Sequence, residues 1–378
     1  MGRPLRCLPA PDTLPDLILT MTAVCGEYPL SQVARLPGGS AYKETVVRSL
    51  KHNGLLRTYY RDGLRGLRLT MAAKQRLLIE RPERLTPFLT GRSEPNVLKS
   101  ELPRRLRLHR MAEVLTTMVN AHVSSLRWEK PSLFHREGNQ HLGLPVYYDS
   151  REVKEIGPQG MKIKSSRATG ILLTDGGIFI VYNTGPFQME WEYKAELRLK
   201  ALLQMELCRG LYSDQFGELG ISGIVFGAEM GQMAQLMTGS SCGQHNYFIL
   251  DGNFDHFYFL PSDHRGEVIL QLLYDSELKA VLDQILSENL YAHRPGWLVE
   301  NDAIEESGAP VLFAYTCDMP RIRRFDTALE LHGLTGILIC FDFQEETLRR
   351  ICGDRATLQS IDFEIFERSV LHFQEEPD

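Results

Sequence analysis

Two sets of side chains in this sequence have types and spacing that could do chemistry. The first lies in "LLRTYYRDGLRGLRLT", residues 55–70, where Arg57, Arg61, Arg65 and Arg68 accompany Tyr59 and Tyr60. Guanidinium groups pair with phosphate oxygens through two parallel hydrogen bonds, and tyrosines offer a ring and a hydroxyl. Lys43, Arg48 and Lys51 precede this run and extend the same chemistry. The second set is Glu192-Tyr193-Lys194 in "MEWEYKAELRLKALL". A carboxylate two residues from a lysine is the arrangement that metal-dependent nucleases use to hold Mg²⁺ and activate a water.

Other candidates read as structure. "FGAEMG" follows an apolar run and opens a helix, but it has no phosphate-loop lysine, so Gly227 and Gly231 read as turn and packing glycines. His245, His256 and His264 lie near Asp251, Asp255 and Asp263, yet no pair has zinc-ligand spacing, and Asp-Gly-Asn sequences serve turns. No motif links Cys242 to a base, so it reads as an incidental thiol. Glu190, Lys194, Glu196 and Lys200 read as i,i+4 pairs on a solvated helix face. No metal or cofactor is expected; Mg²⁺ enters only if Glu192 and Lys194 form a nuclease site.

The chain has 378 residues and a formal net charge of −6. That balance hides a split: residues 1–110 hold 20 Lys and Arg against 9 Asp and Glu, and residues 111–378 hold 22 against 39. A basic segment on an acidic remainder is the electrostatic footprint of a polyanion partner. No run of 18 apolar residues is present, so no membrane span is expected. Prolines in "MGRPLRCLPAPDTLP" interrupt what a signal peptide would need. Seven scattered cysteines without C-x-x-C suit reduced thiols. A cytoplasmic protein is expected.

The elements that must carry the arginines follow from periodicity. Leu17, Ile18, Met21 and Val24 have helical spacing and end at Gly26. A short helix over 30–34 ends at Pro37-Gly38-Gly39, and a third begins at Ser40 as N-cap. Val46, Val47 and Leu50 form its inner stripe, and Asn53-Gly54 stops it. Asp62-Gly63 then turns a hairpin with strands 55–60 and 65–70, and a helix spans 70–81. Three helices, a hairpin and a helix in this order predict a winged helix-turn-helix, with the third helix in a DNA major groove and the hairpin along the backbone. Between Ser40 and Leu78 there are nine Lys and Arg against two acids, as phosphate contact requires. The predicted DNA-contacting set is therefore Lys43, Arg48, Lys51, Arg57, Tyr59, Arg61, Arg65 and Arg68.

The predicted domains are a winged helix over 1–92, a basic linker over 93–110 and an α/β domain over 111–378. The linker leads into a helix at about 104–125 whose basic start adds phosphate contacts. The second domain alternates strands and helices: a hairpin turned at Asp175-Gly176-Gly177, a long helix from Met189, a strand at 221–228, a hairpin turned near Gly252-Asn253, helix over 263–288, then strands at 311–317, 335–341 and 359–366 with helices between. The fold class is thus α+β joined to α/β.

The block from "LILTMTAVCGEYPLSQVARLPGG" through "GLLRTYYRDGLRGLRLTMAAKQRLL" resembles the winged-helix half of the replication-relaxation family, accessory proteins of plasmids and conjugative elements. The resemblance covers about the first ninety residues. It implies a following α/β domain similar to restriction-type nucleases, in which an acid precedes Gly-Thr-Glu and a lysine-bearing helix. Here Tyr182-Asn183-Thr184-Gly185 stands in that place, with Asn183 instead of the acid. The implied role is double-stranded DNA binding in relaxation, replication or mobilisation, beside a relaxase or replication initiator, without catalysis by this chain. A homo-oligomer is compatible with it. Two other classes stay open: a metal-dependent nuclease using Glu192 and Lys194, and a winged-helix transcriptional regulator.

Overall fold

The computed structural model describes residues 7–91, 95–97, 101–135, 141–156, 163–239, 247–293 and 298–371. The chain forms two compact units, 1–129 and 130–378. It is a mixed α/β protein, with three sheets among the described residues. Among the described residues no helix is long and apolar enough to cross a membrane.

In the first unit α1 (Leu14–Cys25), β1 (Tyr28–Pro29), α2 (Leu30–Arg35) and α3 (Ser40–His52) precede the strands β2 (Leu56–Arg61) and β3 (Leu64–Leu69). Helices α4 (Met71–Glu80), α5 (Pro82–Leu89) and α6 (Leu102–Asn120) follow. The strands form a sheet in the order β1-β3-β2. Arg61 pairs with Leu64, so Asp62 and Gly63 are the whole loop. Both have positive φ, 52° and 77°, which is the twist that suits a two-residue hairpin and the reason Asp-Gly stands there. The α3 N-cap is Gly39, not Ser40.

One face of the hairpin carries Leu56, Leu67 and Leu69, which are buried with Ile18, Leu19, Val47 and Leu50 of α1 and α3. The helix α6 belongs to this unit. Its Ala112 and Leu115 enter the same core, and Thr116 Oγ1 lies 2.9 Å from the Tyr28 hydroxyl. The border therefore falls at Glu129, not at 92 or 110. The expected linker 93–110 overlaps α6, and its residues 93–94 and 98–100 lie outside the described residues. An apolar stripe on a basic helix was the deciding signal: burial of Leu108, Ala112 and Leu115 outweighs the polar appearance of the sequence before them.

The second unit holds β4 (Val146–Asp149), α7 (Ser150–Val153), β5 (Gly170–Thr174), β6 (Gly177–Gly185), α8 (Tyr193–Leu203), α9 (Ser213–Phe216), β7 (Ile221–Gly227), α10 (Gly231–Thr238) and β8 (Phe257–Pro261). It continues with α11 (His264–Tyr274), α12 (Ser276–Ser287), β9 (Tyr291–Ala292), β10 (Ala303–Ile304), β11 (Pro310–Phe313), α13 (Met319–His332), β12 (Gly336–Phe341), α14 (Asp342–Ile351), β13 (Ala356–Ile361) and α15 (Phe363–Phe366). Two mixed sheets result. In β4-β5-β6-β7-β8 the first three strands are antiparallel and the last three parallel. In β13-β12-β11-β10-β9 the parallel part comes first. Phe259 N donates to Cys317 O at 3.0 Å, which ties β8 to the segment after β11.

Several expectations are corrected. Residues 247–261 are not a hairpin: β8 pairs with β7 in parallel, and Tyr247 bridges Glu190. The helical stretch 263–288 breaks at Asp275, whose carboxylate caps α12. The last strand ends at Ile361, after which Asp362 caps α15. The long helix starts at Tyr193, not at Met189, and becomes a π-helical segment from Gln204.

Candidate nucleic-acid interface

Eight residues were expected to contact DNA, and they divide by burial. Arg48 and Lys51 of α3 and Arg57, Arg61 and Arg65 of the hairpin are exposed. Lys51 Nζ donates to Thr58 Oγ1 at 3.1 Å, which joins the C-terminal end of α3 to β2. Arg65 sits over the Tyr60 ring at 5.9 Å near the hairpin tip, and Tyr60 is 67 % exposed. Arg61 forms an ion pair with its neighbour Asp62 at 3.4 Å, an exposed contact of little energetic weight.

Lys43 is a correction. It is buried, and Nζ donates to Ala34 O and Leu36 O at 2.6 and 2.8 Å. Lys43 stands three and four residues before Val46 and Val47, so it belongs to the inner stripe of α3. The ammonium closes the end of α2, whose last carbonyls lack helical partners. The spacing carried that signal.

Arg68 is a second correction. It is 5 % exposed and donates through Nε to Glu27 at 3.0 Å. Glu27 is fully buried and also receives Arg105 Nη2 at 2.7 Å and lies 2.9 Å from His109 Nε2. Burial opposes the Glu27 charge, but the hydrogen bonds from His109, Arg105 and Arg68 outweigh it and hold the carboxyl down at about 2. Tyr59, half-buried, packs its ring against the guanidinium groups of Arg68 and Arg105, at 3.9 and 4.7 Å. It is a packing element of this cluster. Arg105, from the stretch read as adding phosphate contacts, is fully buried. It donates to Arg61 O at 2.6 Å and to Leu64 O at 3.0 Å, the two residues that flank the hairpin turn.

Gly66 is required by this cluster. It faces Tyr59 across the strands, and a Cβ there would stand 2.5 Å from Glu27 Cγ. Glu27 is pinned from three sides and has no room to give. Glu27, Gly66, Arg105 and His109 escaped the sequence reading because they are up to 82 residues apart.

The outer face of α3 presents Tyr42, Thr45, Arg48 and Ser49, all exposed. Their i,i+3,i+6,i+7 spacing places them along one side, where hydroxyls and a guanidinium could meet base edges. The sequence reading counted only charges and passed over Tyr42, Thr45 and Ser49. The first unit holds 21 Lys and Arg against 11 Asp and Glu, the second 21 against 37.

The nuclease candidates lie apart from any cluster. Glu192 is the residue before α8 and half-buried, and Lys194 is exposed on the first turn. Asn183 is buried, and its Oδ1 accepts from Gly185 N at 2.7 Å, shaping the bulge that ends β6. Asp175 is exposed at the turn between β5 and β6. The inward carboxylate of α8 is Glu196, a correction to the solvated reading. It accepts from Ser166 Oγ, Arg167 N and Tyr182 Oη at 2.8, 2.6 and 3.0 Å. Burial raises its pKa against those bonds. Glu190 pairs with Arg167 at 2.6 Å rather than with Lys194. Among the described residues no group of three His, Cys, Asp or Glu is placed to hold a metal ion. Asp251 and Asp263 serve turn and cap, bonding Asn253 N and Gly266 N. Cys242 and His245 lie outside the described residues.

No protein-family model, no curated protein and no solved structure matches this chain.

Proposed function

We propose that the first unit is a winged helix that binds double-stranded DNA, with α3 in the major groove and the β2–β3 tip on the backbone. The observation that carries this reading is the Lys51–Thr58 bond. It joins the basic end of α3 to the hairpin, so that Arg48, Lys51, Arg61 and Arg65 lie on two elements held together and all face solvent. Phosphate contacts from such side chains supply most of the affinity and make it salt-dependent. Tyr42, Thr45 and Ser49 supply the base-reading groups. The acidic second unit acts without catalysis, as a platform for a partner such as a relaxase or replication initiator, in DNA relaxation, replication or mobilisation.

The test is fluorescence anisotropy of the full chain on a labelled duplex across a salt series. Reversing Arg61 and Arg65 to Glu should weaken binding by well over about tenfold and lower the salt slope by about two. Binding that survives the double reversal, or that ignores salt, removes the proposal. A Thr45→Ala, Ser49→Ala variant should change sequence preference more than it changes bulk affinity.

A further inference from the structure

The β2–β3 hairpin divides its residues between two faces. Leu56, Thr58 and Tyr60 share one of them with Leu69, Leu67 and Arg65, which stand directly opposite. Leu56, Leu67 and Leu69 are buried against α1 and α3, and Thr58 receives Lys51 of α3. Tyr60 and Arg65 continue this face past the edge of the core, one pair before the Asp62-Gly63 turn. Tyr60 is 67 % exposed, and the Arg65 guanidinium stands over its ring at 5.9 Å. The tip that carries them is fixed. Its loop is two residues long, and the fully buried Arg105 of α6 donates to Arg61 O and Leu64 O on either side of it. Arginines that meet phosphates do not require such support, because their long stems reach a phosphate from a mobile backbone as well. A ring that stacks on a ligand does require it, since freedom left in the platform is lost on binding.

We propose that the Tyr60 ring, with Arg65 over it, is a stacking platform for an unpaired nucleobase, so that the DNA this chain prefers is a duplex that opens into a single strand. The inference rests on the duplex-binding reading of α3 and the hairpin, and it names the form of DNA that suits them. In an unbroken duplex each base is covered above and below by its neighbours, and a protein reaches only base edges, sugars and phosphates. A base face becomes accessible where pairing stops. Tyrosine stacks on that face whatever the base, because every base has a π-face. Arg65 adds a cation beside the stack. Arg61, next in the chain and exposed, is placed to pair with a phosphate that flanks the unpaired base. The platform lies on the face of the hairpin that α3 packs against, so one DNA molecule can meet α3 with its duplex and Tyr60 with its open end.

Fluorescence anisotropy of the full chain on a blunt duplex, and on the same duplex bearing a short single-stranded tail, tests this. A fluorescent adenine analogue as the first unpaired base reports stacking directly. The tailed duplex should bind about tenfold more tightly than the blunt one, and the analogue should be quenched on binding. The same analogue paired inside the duplex should not respond. Tyr60→Ala should remove both the preference and the quench, and it should leave blunt-duplex affinity within about twofold, because no phosphate contact is lost. Tyr60→Phe keeps the ring and should keep both. Tyr60→Leu keeps apolar bulk without a ring and should lose the quench. Equal binding of the two DNAs by the parent chain, or a quench that persists in Tyr60→Ala, overturns the inference and leaves the duplex reading standing. So does an equal loss on both DNAs in Tyr60→Ala, since the ring would then serve the unbroken duplex. A chain that binds neither DNA removes both readings.

Discussion

Arg105 and Glu27 form a doubly hydrogen-bonded pair from which water is excluded: Nε and Nη2 lie 3.1 and 2.7 Å from the two carboxylate oxygens, and both side chains are 0 % exposed. The same guanidinium reaches Arg61 O and Leu64 O. One residue of α6 therefore sets the position of the hairpin tip. Breaking one partner of a buried pair leaves an uncompensated charge. Arg105→Ala should destabilise the first unit by roughly 3 to 5 kcal/mol. Urea denaturation measures this, and a loss below about 1 kcal/mol would show that the pair is dispensable.

The Glu27 carboxyl titrates at about 2 in the folded chain against 4.5 for the free group. A depressed pKa contributes stability that is complete above the unfolded value and is lost as pH falls through the folded one. The window is therefore pH 4.5 down to 2, and the amount is roughly 3 kcal/mol. Stability of the parent chain should fall more steeply through this window than that of Glu27→Gln, which is less stable at neutral pH but lacks this titration. Parallel slopes for the two chains would contradict the assignment.

Lys43 should behave as a structural residue. Lys43→Met keeps the stem and removes the bonds to Ala34 O and Leu36 O. It should cost roughly 1 to 3 kcal/mol in stability. Duplex affinity at a temperature where the variant is folded should stay within about twofold, whereas Arg48→Ala should lose one phosphate contact and lower the salt slope by about one. Equal losses from the two substitutions would return Lys43 to the interface.

His264 titrates at about 9, because the carboxylates of Glu267 and Glu367 hold its proton against the opposing effect of burial. A raised pKa contributes stability that is present below about 6.5 and is lost as pH rises through 9. His264 opens α11, and Glu367 follows α15, so the contact docks the end of the described chain. Amide exchange in residues 363–371 should accelerate relative to the rest of the second unit between pH 6.5 and 9. His264→Gln should abolish the pH dependence of that ratio; an unchanged ratio in the parent chain would count against the contact.

Glu192 and Lys194 should not cut DNA. A metal site needs one or two carboxylates on adjoining strands, and Asn183 brings none. The full chain with Mg²⁺ or Mn²⁺ should leave supercoiled and single-stranded DNA intact over hours. Metal-dependent nicking that disappears in Glu192→Gln would establish a nuclease and reverse this reading.

Local spacing in the sequence determined the elements of the first unit: the stripe Val46, Val47, Leu50, the stop at Asn53-Gly54, and the Asp62-Gly63 turn each depend on residues within one or two turns of chain. It also determined which face of β2 carries Arg57, Tyr59 and Arg61, because alternation is fixed by the pleat. Lys43 was legible in the same way, as a fourth member of the stripe, once its position outweighed its charge. What covers the Arg57 face was not legible. Only the tertiary structure brings Glu27, Arg105 and His109 onto the hairpin, and with them the burial of Arg68 and Tyr59 and the need for Gly66. Likewise only the fold turns Glu196 inward to Ser166, Arg167 and Tyr182. A charged side chain is exposed by default, and it is buried only where partners from distant segments replace its water. Those partners are chosen by how α6 and β6 pack, so the same arginine or glutamate reads identically in the sequence whether it faces solvent or closes a core.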